Sequence, residues 1–375
     1  MTRTVLLLHR GDDGLRGTEI CVIQSARAFA GRGLRVVICR NHASMDEQLA
    51  AIEPRPELLP MQFPELKLDG RKTTLPVASY LRAVRQLNRL VRQLNPALIY
   101  SSGGLPCQIA APVARLRRIP LVCHFHHPAT TRDYYLWLVK WADKVIFPSQ
   151  FTRQHSLRKA RLAGDVIYNG IDVTRFQPPA RREPHWRQRL GIAENAIVIG
   201  QVAALAGHKR PELLVRAFSQ LARQSGQPLH LCLVGKGPLE DGLRALVQAL
   251  QLQARVTITG FVPDVLPYYQ HVFDINALVS SVEGLGISVI EGSACGLPAV
   301  VTDCTGLSET VVPDTTGFSF ALDDEVGLEK RLLSLVNDPG LRARMGAAGR
   351  EFARNTFSAD IYNEKIIATT RELMG

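Results

Sequence analysis

Two glutamates, Glu283 and Glu291, bracket the stretch Glu283-Gly-Leu-Gly-Ile-Ser-Val-Ile-Glu291. The glycines between them give the pair its chemical interest. Gly284 and Gly286 leave the backbone bare just before a short helical run, Ser288 to Cys295, that stops at Gly296-Leu-Pro298. Ser288 and Glu291 stand at the S-x-x-E spacing of a capping box, which predicts a helix start near Ser288. The bare amides there, next to the positive end of a helix dipole, make a seat for an anion such as a diphosphate. The residues alone leave Glu291 open between two roles, reciprocal carboxylate of the cap or carboxylate facing a ligand.

A second cluster is Pro120-Leu-Val-Cys-His-Phe-His-His-Pro128, at the end of an apolar run. Alternation along a strand places His124 and His126 on one face and His127 on the other. These are hydrogen-bonded structural histidines, a metal-binding pair, or site residues. No nearby acidic residue completes a metal ligand set, and the chain has no DxD motif. The third candidate is the loop Gly11-Asp-Asp-Gly-Leu-Arg-Gly17-Thr-Glu19. It is not GxGxxG, so a dinucleotide site is poorly supported. Gly17 would bring backbone close to a bound group, and Glu19 either caps the following helix or meets substrate.

These candidates must be held by a framework, and its pattern is alternation of short Val/Ile/Leu runs with longer amphipathic stretches. That is the signature of βα units and parallel sheets. Predicted strands in the first half are Thr4–His9, Leu34–Arg40, Ala97–Ser101, Pro120–His126, Lys144–Pro148 and Asp165–Tyr168. In the second half they are Ala196–Ala203, Leu229–Val234, Val256–Thr259, Ile275–Val279 and Ala299–Thr302. Helices are predicted at Thr18–Ala30 and Tyr80–Leu94, the latter burying Leu81, Val84, Leu87, Val91 and Leu94. The chain of 375 residues is too long for one ordinary core. We expect an α/β protein of two Rossmann-like, doubly wound domains facing across a cleft, with ligands at the carboxyl ends of the strands. The expected bounds are 1–176, a Pro-rich linker 177–184, and 185–355, followed by a C-terminal helix in 356–375 for which either domain, the N-terminal one included, is open as packing partner.

Hydrophobic residues make up 46% and charged ones 21%, which excludes a disordered or collagen-like chain. No apolar run is long enough to span a bilayer, and the N-terminus reads as a first strand rather than a signal peptide. Seven scattered cysteines without a CxxC point to buried free thiols in a reducing compartment. The net charge of +11 requires an anionic partner. Arg82, Arg85, Arg89 and Arg92, with Arg115, Arg117, Arg118, Arg153, Arg158, Lys159 and Arg161, concentrate that charge in the first half. A membrane surface or an anionic acceptor suits this field, and nucleic acid does not, because no recognised motif or aromatic platform accompanies it.

The stretch from Glu283 to Pro298 resembles the E-x7-E segment of retaining, two-Rossmann-domain (GT-B) glycosyltransferases of family 4. Val166-Ile-Tyr-Asn-Gly-Ile-Asp172, with Phe176 beyond, is similar to the "PNGID…F" loop that ends the family's first domain. Lys209 lies in a segment like "GRL…EKG", and Val234-Gly-Lys-Gly-Pro238, Thr259-Gly-Phe-Val262 and Asp274 to Ser281 fall in register. The resemblance covers nearly the whole chain, most strongly in 272–310 and least in the first domain.

This resemblance implies roles. Glu291 would accept hydrogen bonds from ribose hydroxyls. Glu283 would hold the donor sugar, the amides of Gly284, Leu285, Gly286 and Ile287 the diphosphate, and Lys209 the charge growing on the leaving phosphate. His126 would reach the donor sugar and the forming bond. Catalysis would thus rest on His126, Lys209 and Glu283. Gly17, Lys236, Gly284, Leu285 and Glu291 would complete the donor site, with Arg16, His124 and His127 on the acceptor side. One departure stands out. The family's arginine five residues before the lysine is Ala204 here, preceded by Ala203 in place of a glycine, and the candidate substitutes are His208, Arg210, Lys236 and Arg16.

The implied activity is transfer of a sugar, with retention, from a UDP- or GDP-linked donor to a lipid-linked or polysaccharide acceptor of the cell envelope or an exopolysaccharide. No metal or other cofactor is expected, and the enzyme would be cytoplasmic, peripheral on the inner face of the cytoplasmic membrane. Two alternatives are a nucleotide-sugar-binding homologue with little or no turnover, and a GT-B epimerase or phosphorylase.

Overall fold

The computed structural model describes residues 2–11, 14, 17–65, 67–69, 72–74, 76–157 and 164–375. Arg16, Arg158, Lys159 and Arg161 lie outside the described residues. The chain forms two compact units, Met1–Gly170 with Ala359–Gly375, and Ile171–Ser358.

The first unit contains β1 (Thr4–His9), β2 (Arg35–Arg40), β3 (Glu57–Pro60), the small hairpin β4 (Lys67–Asp69) and β5 (Lys72–Thr74), β6 (Leu98–Ser102), β7 (Leu121–His124), β8 (Lys144–Phe147) and β9 (Asp165–Val166). Its main sheet is parallel in the order β3-β2-β1-β6-β7-β8-β9. β1 explains why the apolar run of the sequence is unbroken. Val5 and Leu7 enter the core on one face, Leu6 and Leu8 the core on the other, so both faces must be apolar. Val22, Ala26 and Phe29 of the helix Gly17–Ala30 cover the first face. Tyr362 and Ile366 of the last helix, Ala359–Met374, join the same cluster, and Tyr362 Oη lies 2.7 Å from Ser25 Oγ. The helices Val77–Leu94 and Gly104–Arg117 cover the opposite face.

The stripe expected on Tyr80–Leu94 needs correcting at Leu81, which is 44% exposed. The seam facing the sheet is Ala83, Leu87 and Val91, an i, i+4, i+8 row that leaves Leu81 on the far side. Arg82, Arg85, Arg89 and Arg92 are exposed.

The second unit contains β10 (Ile197–Val202), β11 (Leu229–Val234), β12 (Val256–Ile258), β13 (Ile275–Leu278), β14 (Ala299–Asp303) and β15 (Gly317–Ala321), parallel in the order β12-β11-β10-β13-β14-β15. The Pro-rich segment 177–184 is strapped to this unit. Arg182 donates to Asp274 Oδ1 at 2.6 Å and to the Phe273 carbonyl at 2.7 Å, and Gln270 donates to the Gln177 carbonyl at 2.8 Å. Next to it, the buried Arg187 donates to Asp274 Oδ2 at 2.7 Å and to the carbonyls of Val272, Ala196 and Glu194. Asp274 Oδ2 also accepts from the Val198 amide at 2.8 Å, so one carboxylate latches the starts of β10 and β13 together.

In each sheet the strand order reverses once, between β1 and β6 in the first and between β10 and β13 in the second. At such switch points the connections leave in opposite directions and open a crevice at the carboxyl ends of the strands.

Candidate functional site

In the second unit the loops leaving β10 and β13 build the crevice. β13 runs into Ser280, Ser281 and Glu283, and then into the helix Ile287–Ala294. The expected capping box does not form. The cap residue is Gly286, with φ +97°, and no side chain caps the helix. Ser288 therefore sits within the first turn, and its carbonyl accepts from Tyr269 Oη and Asn276 Nδ2, each at 3.0 Å. Only glycine fits position 286, because a Cβ would stand 2.6 Å from Leu307 Cδ1 and the backbone is left-handed. In the first turn that opens there the Val289 amide already donates to the Gly286 carbonyl at 3.0 Å, and the amides ahead of it are the physical basis of an anion seat. Leu285 contributes only backbone, since its side chain is buried.

Glu291 points not to the cap but to Tyr269, whose hydroxyl lies 3.2 Å from Oε2. Burial pushes its carboxyl up to about 7, against the pull of the Tyr269 hydrogen bond and of Arg175. Additional hydrogen-bond donors, such as the two hydroxyls of a ribose, would favour its ionised form.

Glu283 and Lys209 form an ion pair that spans the switch point, one residue beyond the end of β13 and the other in the turn Gly207–Lys209 after β10. The same Glu283 Oε1 accepts from Ser280 Oγ at 2.8 Å, and the Glu283 amide donates to Thr305 Oγ1 at 2.9 Å. The Ser281 amide donates to the His208 carbonyl at 2.8 Å, which stitches the two loops together. Glu283 is buried, and the Lys209 side chain is 18% exposed. The pair thus presents one cation and one carboxylate beside the bare helix start.

The substitutes proposed for the missing arginine fare differently. Ala204 is exposed. Arg210 is ion-paired with Asp323. Burial first, and then Lys209, push His208 down, towards the neutral imidazole, against the pull of Glu283. Lys236 is exposed, and its ammonium sits 5.6 Å from the centre of the exposed Phe261 ring.

In the first unit the histidines lie at the other switch point. β1 ends at His9, in register with Ser102 at the end of β6, which in turn pairs with His124 at the end of β7. The strand stops at His124, two residues short of the expected bound, yet the expected alternation holds: the His124 and His126 rings share one side, Phe125 packs into the opposite core and His127 is exposed. His124 is fully buried, with Nδ1 2.7 Å from Tyr100 Oη, and burial pushes it down to about 3. Its ring centroid lies 4.7 Å from that of His126. Burial, then the neighbouring His124, His127 and His9, hold His126 well below the usual imidazole range. His127 is exposed, and Gly17 opens its helix from an exposed position. Among the described residues no group of three or more His, Cys, Asp or Glu is placed to hold a metal ion.

Residues 15–175 match the family described as Glycosyltransferase Family 4, and residues 182–352 the family described as Glycosyl transferases group 1. A D-inositol 3-phosphate glycosyltransferase of Rhodococcus jostii is 32% identical over 378 residues, covering 92% of this chain and 82% of that protein. The chain belongs to the group 1, family 4 glycosyltransferases. A GDP-mannose-dependent alpha-(1-6)-phosphatidylinositol monomannoside mannosyltransferase of Mycolicibacterium smegmatis is 28% identical, covering 72% of this chain and 74% of its own. In fold, Anabaena HepE, solved in complex with UDP-glucose, superposes with a TM-score of 0.83 at 22% identity, over 98% of this chain and 99% of that one. The two Rossmann-like units are thus those of the GT-B class, and this protein is a glycosyltransferase.

Around the two glutamates stand residues that sequence patterns did not single out. Tyr269 lies in the short helical turn Tyr268–Val272 and steadies Glu291. Ser280 and Thr305 fix Glu283. Their only local signal was the pair Ser280-Ser281 at a strand end, where a site is expected.

Proposed function

We propose that the enzyme moves a glycosyl group, with retention of anomeric configuration, from a nucleoside-diphosphate sugar to an anionic, lipid-linked acceptor. The observation that carries this reading is the Lys209–Glu283 pair beside the bare helix start at Gly286, with the buried Glu291 five residues on. A diphosphate at the first turn would receive amide hydrogen bonds and the Lys209 charge, while Glu283 takes sugar hydroxyls and Glu291 the ribose. His126 meets the sugar at the forming bond. No side chain serves as a covalent nucleophile. The departing diphosphate, held against Lys209, takes the proton of the acceptor hydroxyl. The positive charge comes from protein, so transfer proceeds without a metal, and a chelator leaves the rate unchanged. The second unit, Ile171–Ser358, holds the donor, and the first, Met1–Gly170 with Ala359–Gly375, the acceptor.

The acceptor class rests on two supports. The Rhodococcus relative is named for D-inositol 3-phosphate and the Mycolicibacterium one for a phosphatidylinositol mannoside, both anionic. The first unit also carries exposed Leu116, Tyr135 and Trp141 interleaved with cations. Arg115 lies 5.8 Å from the centre of the Trp141 ring, and Lys140 lies 5.9 Å from both the Tyr135 and Trp141 rings. Aromatic bodies beside basic heads suit the headgroup layer of an anionic membrane, where the enzyme would sit peripherally. No helix among the described residues is long and apolar enough to cross it.

The test is turnover of UDP- and GDP-hexoses on vesicles containing phosphatidylinositol, with the product anomer read by NMR. The expected result is an acceptor-dependent product of retained configuration. An inverted product overturns retention. Consumption of donor without acceptor favours hydrolysis or epimerisation instead.

A further inference from the structure

At the switch point of the first sheet, four buried polar side chains from four separate pieces of chain lie in a line. Glu19 Oε1 is 3.1 Å from His9 Nε2, His9 Nδ1 is 3.2 Å from Ser102 Oγ, and Ser102 Oγ is 2.8 Å from His126 Nε2. None is more than 8% exposed. Gly11 closes over the start of the line, for a Cβ there would stand 2.6 Å from Glu19 Oε1 and 2.7 Å from His9 Nε2. At the far end, His126 Nδ1 is buried and has no hydrogen-bond partner among the described residues.

The hydrogens in this line are constrained one by one. With Glu19 accepting, an N–H of His9 stands on Nε2, and where His9 carries that one hydrogen its Nδ1 must accept. That turns the Ser102 hydroxyl proton towards His9. Ser102 then has only lone pairs for His126, whose Nε2 must be the N–H. A proton added to His9 would leave its Nε2–H on Glu19 but reverse both bonds at Ser102 and move the His126 hydrogen to Nδ1. The serine hydroxyl has one proton to give, so the line permits one His126 tautomer at a time.

We propose that Glu19, His9 and Ser102 are positioning residues that hold His126 as the Nε2–H tautomer, leaving Nδ1 bare to accept from a hydroxyl of the bound substrate. A network built only for stability would end on satisfied atoms. This one ends on an unpaired buried nitrogen, a free-energy cost of the kind that sites retain for a ligand. The proposal rests on the reading of His126 as the group that meets the donor sugar. It deepens that reading by stating which nitrogen acts and what fixes it.

The test uses the full chain labelled with 15N-histidine. Long-range 1H–15N NMR reports the tautomer of His126 in the wild type, in Ser102→Ala and in Glu19→Gln, and thermal melting confirms that each variant folds. The expected wild-type state is a single Nε2–H tautomer, and Ser102→Ala should give a mixture. In that variant kcat should fall about 10–100-fold while the donor KM holds, the usual scale for losing an orienting partner. A wild-type mixture, or the same single tautomer in Ser102→Ala, overturns the proposal. If the tautomer responds as expected but His126→Ala turns over at the wild-type rate, the catalytic reading of His126 fails and the positioning stands.

Discussion

Replacing Glu291 with glutamine should make the ligand-free enzyme more stable and its nucleotide binding weaker. Glu291 is 7% exposed, and burial raises its carboxyl from 4.5 to about 7. Proton counting gives the sign. Below the unfolded value both states are protonated and Glu291 contributes nothing. Between the unfolded and folded values the unfolded chain loses the proton first, so stability falls as pH rises, and it levels off above the folded value. A shift of this size corresponds to about 3 kcal/mol of destabilisation near pH 8 and about 1 kcal/mol near pH 5. Glutamine keeps an acceptor for Tyr269 and has no charge to bury. Urea unfolding of wild type and Glu291→Gln at the two pH values measures the difference directly. The variant should gain up to about 3 kcal/mol at the higher pH and about 1 kcal/mol at the lower. Calorimetric titration with UDP or GDP should show it losing about 1–3 kcal/mol of affinity, the scale of hydrogen bonds to a charged group. Wild-type affinity should rise with pH up to about 7, because ribose hydroxyls select the ionised carboxylate. A variant destabilised equally at both pH values, with unchanged affinity, would refute the reasoning and make Glu291 a structural residue.

Lys209→Ala should lower kcat by about 100–1000-fold, the usual effect of removing one group that stabilises developing negative charge, as steady-state kinetics would show. Asp274→Ala should cost about 3–5 kcal/mol in urea unfolding, because it leaves the buried Arg187 without its counterion. Trp141→Ala with Lys140→Ala should weaken co-sedimentation with anionic vesicles and leave binding to neutral vesicles unchanged. Equal loss on both vesicle types would argue against an electrostatic membrane contact.

Much of the framework could be read from local pattern because its cause is local. The run Val5–Leu8 is apolar throughout since β1 is buried on both faces, and the cysteines, mostly inside such runs, are all free. The strands that escaped are the small hairpin β4–β5 and, in the main sheets, β3 and β15, each an outer strand with a partner on one side only. The glycine turn before Ile287 was visible, but its geometry was not. S-x-x-E spacing reads the same whether the glutamate turns back to cap the helix or across to Tyr269, and only the left-handed Gly286 decides. The bonds that organise both switch points were out of reach for a different reason. His9 with Ser102 and Lys209 with Glu283 join residues distant in sequence, brought together by sheet order rather than by any motif. In the same way, the charge on Arg182 suggested a free linker, while its partner Asp274 lay far along the chain.

The most direct measurement of the central claim is hydrogen exchange of the whole enzyme with and without UDP and GDP. Slowed exchange is expected at the amides of residues 284–289, where the helix opens at Gly286, together with protection around Lys209. Tight nucleotide binding that leaves those amides unprotected would contradict the diphosphate seat.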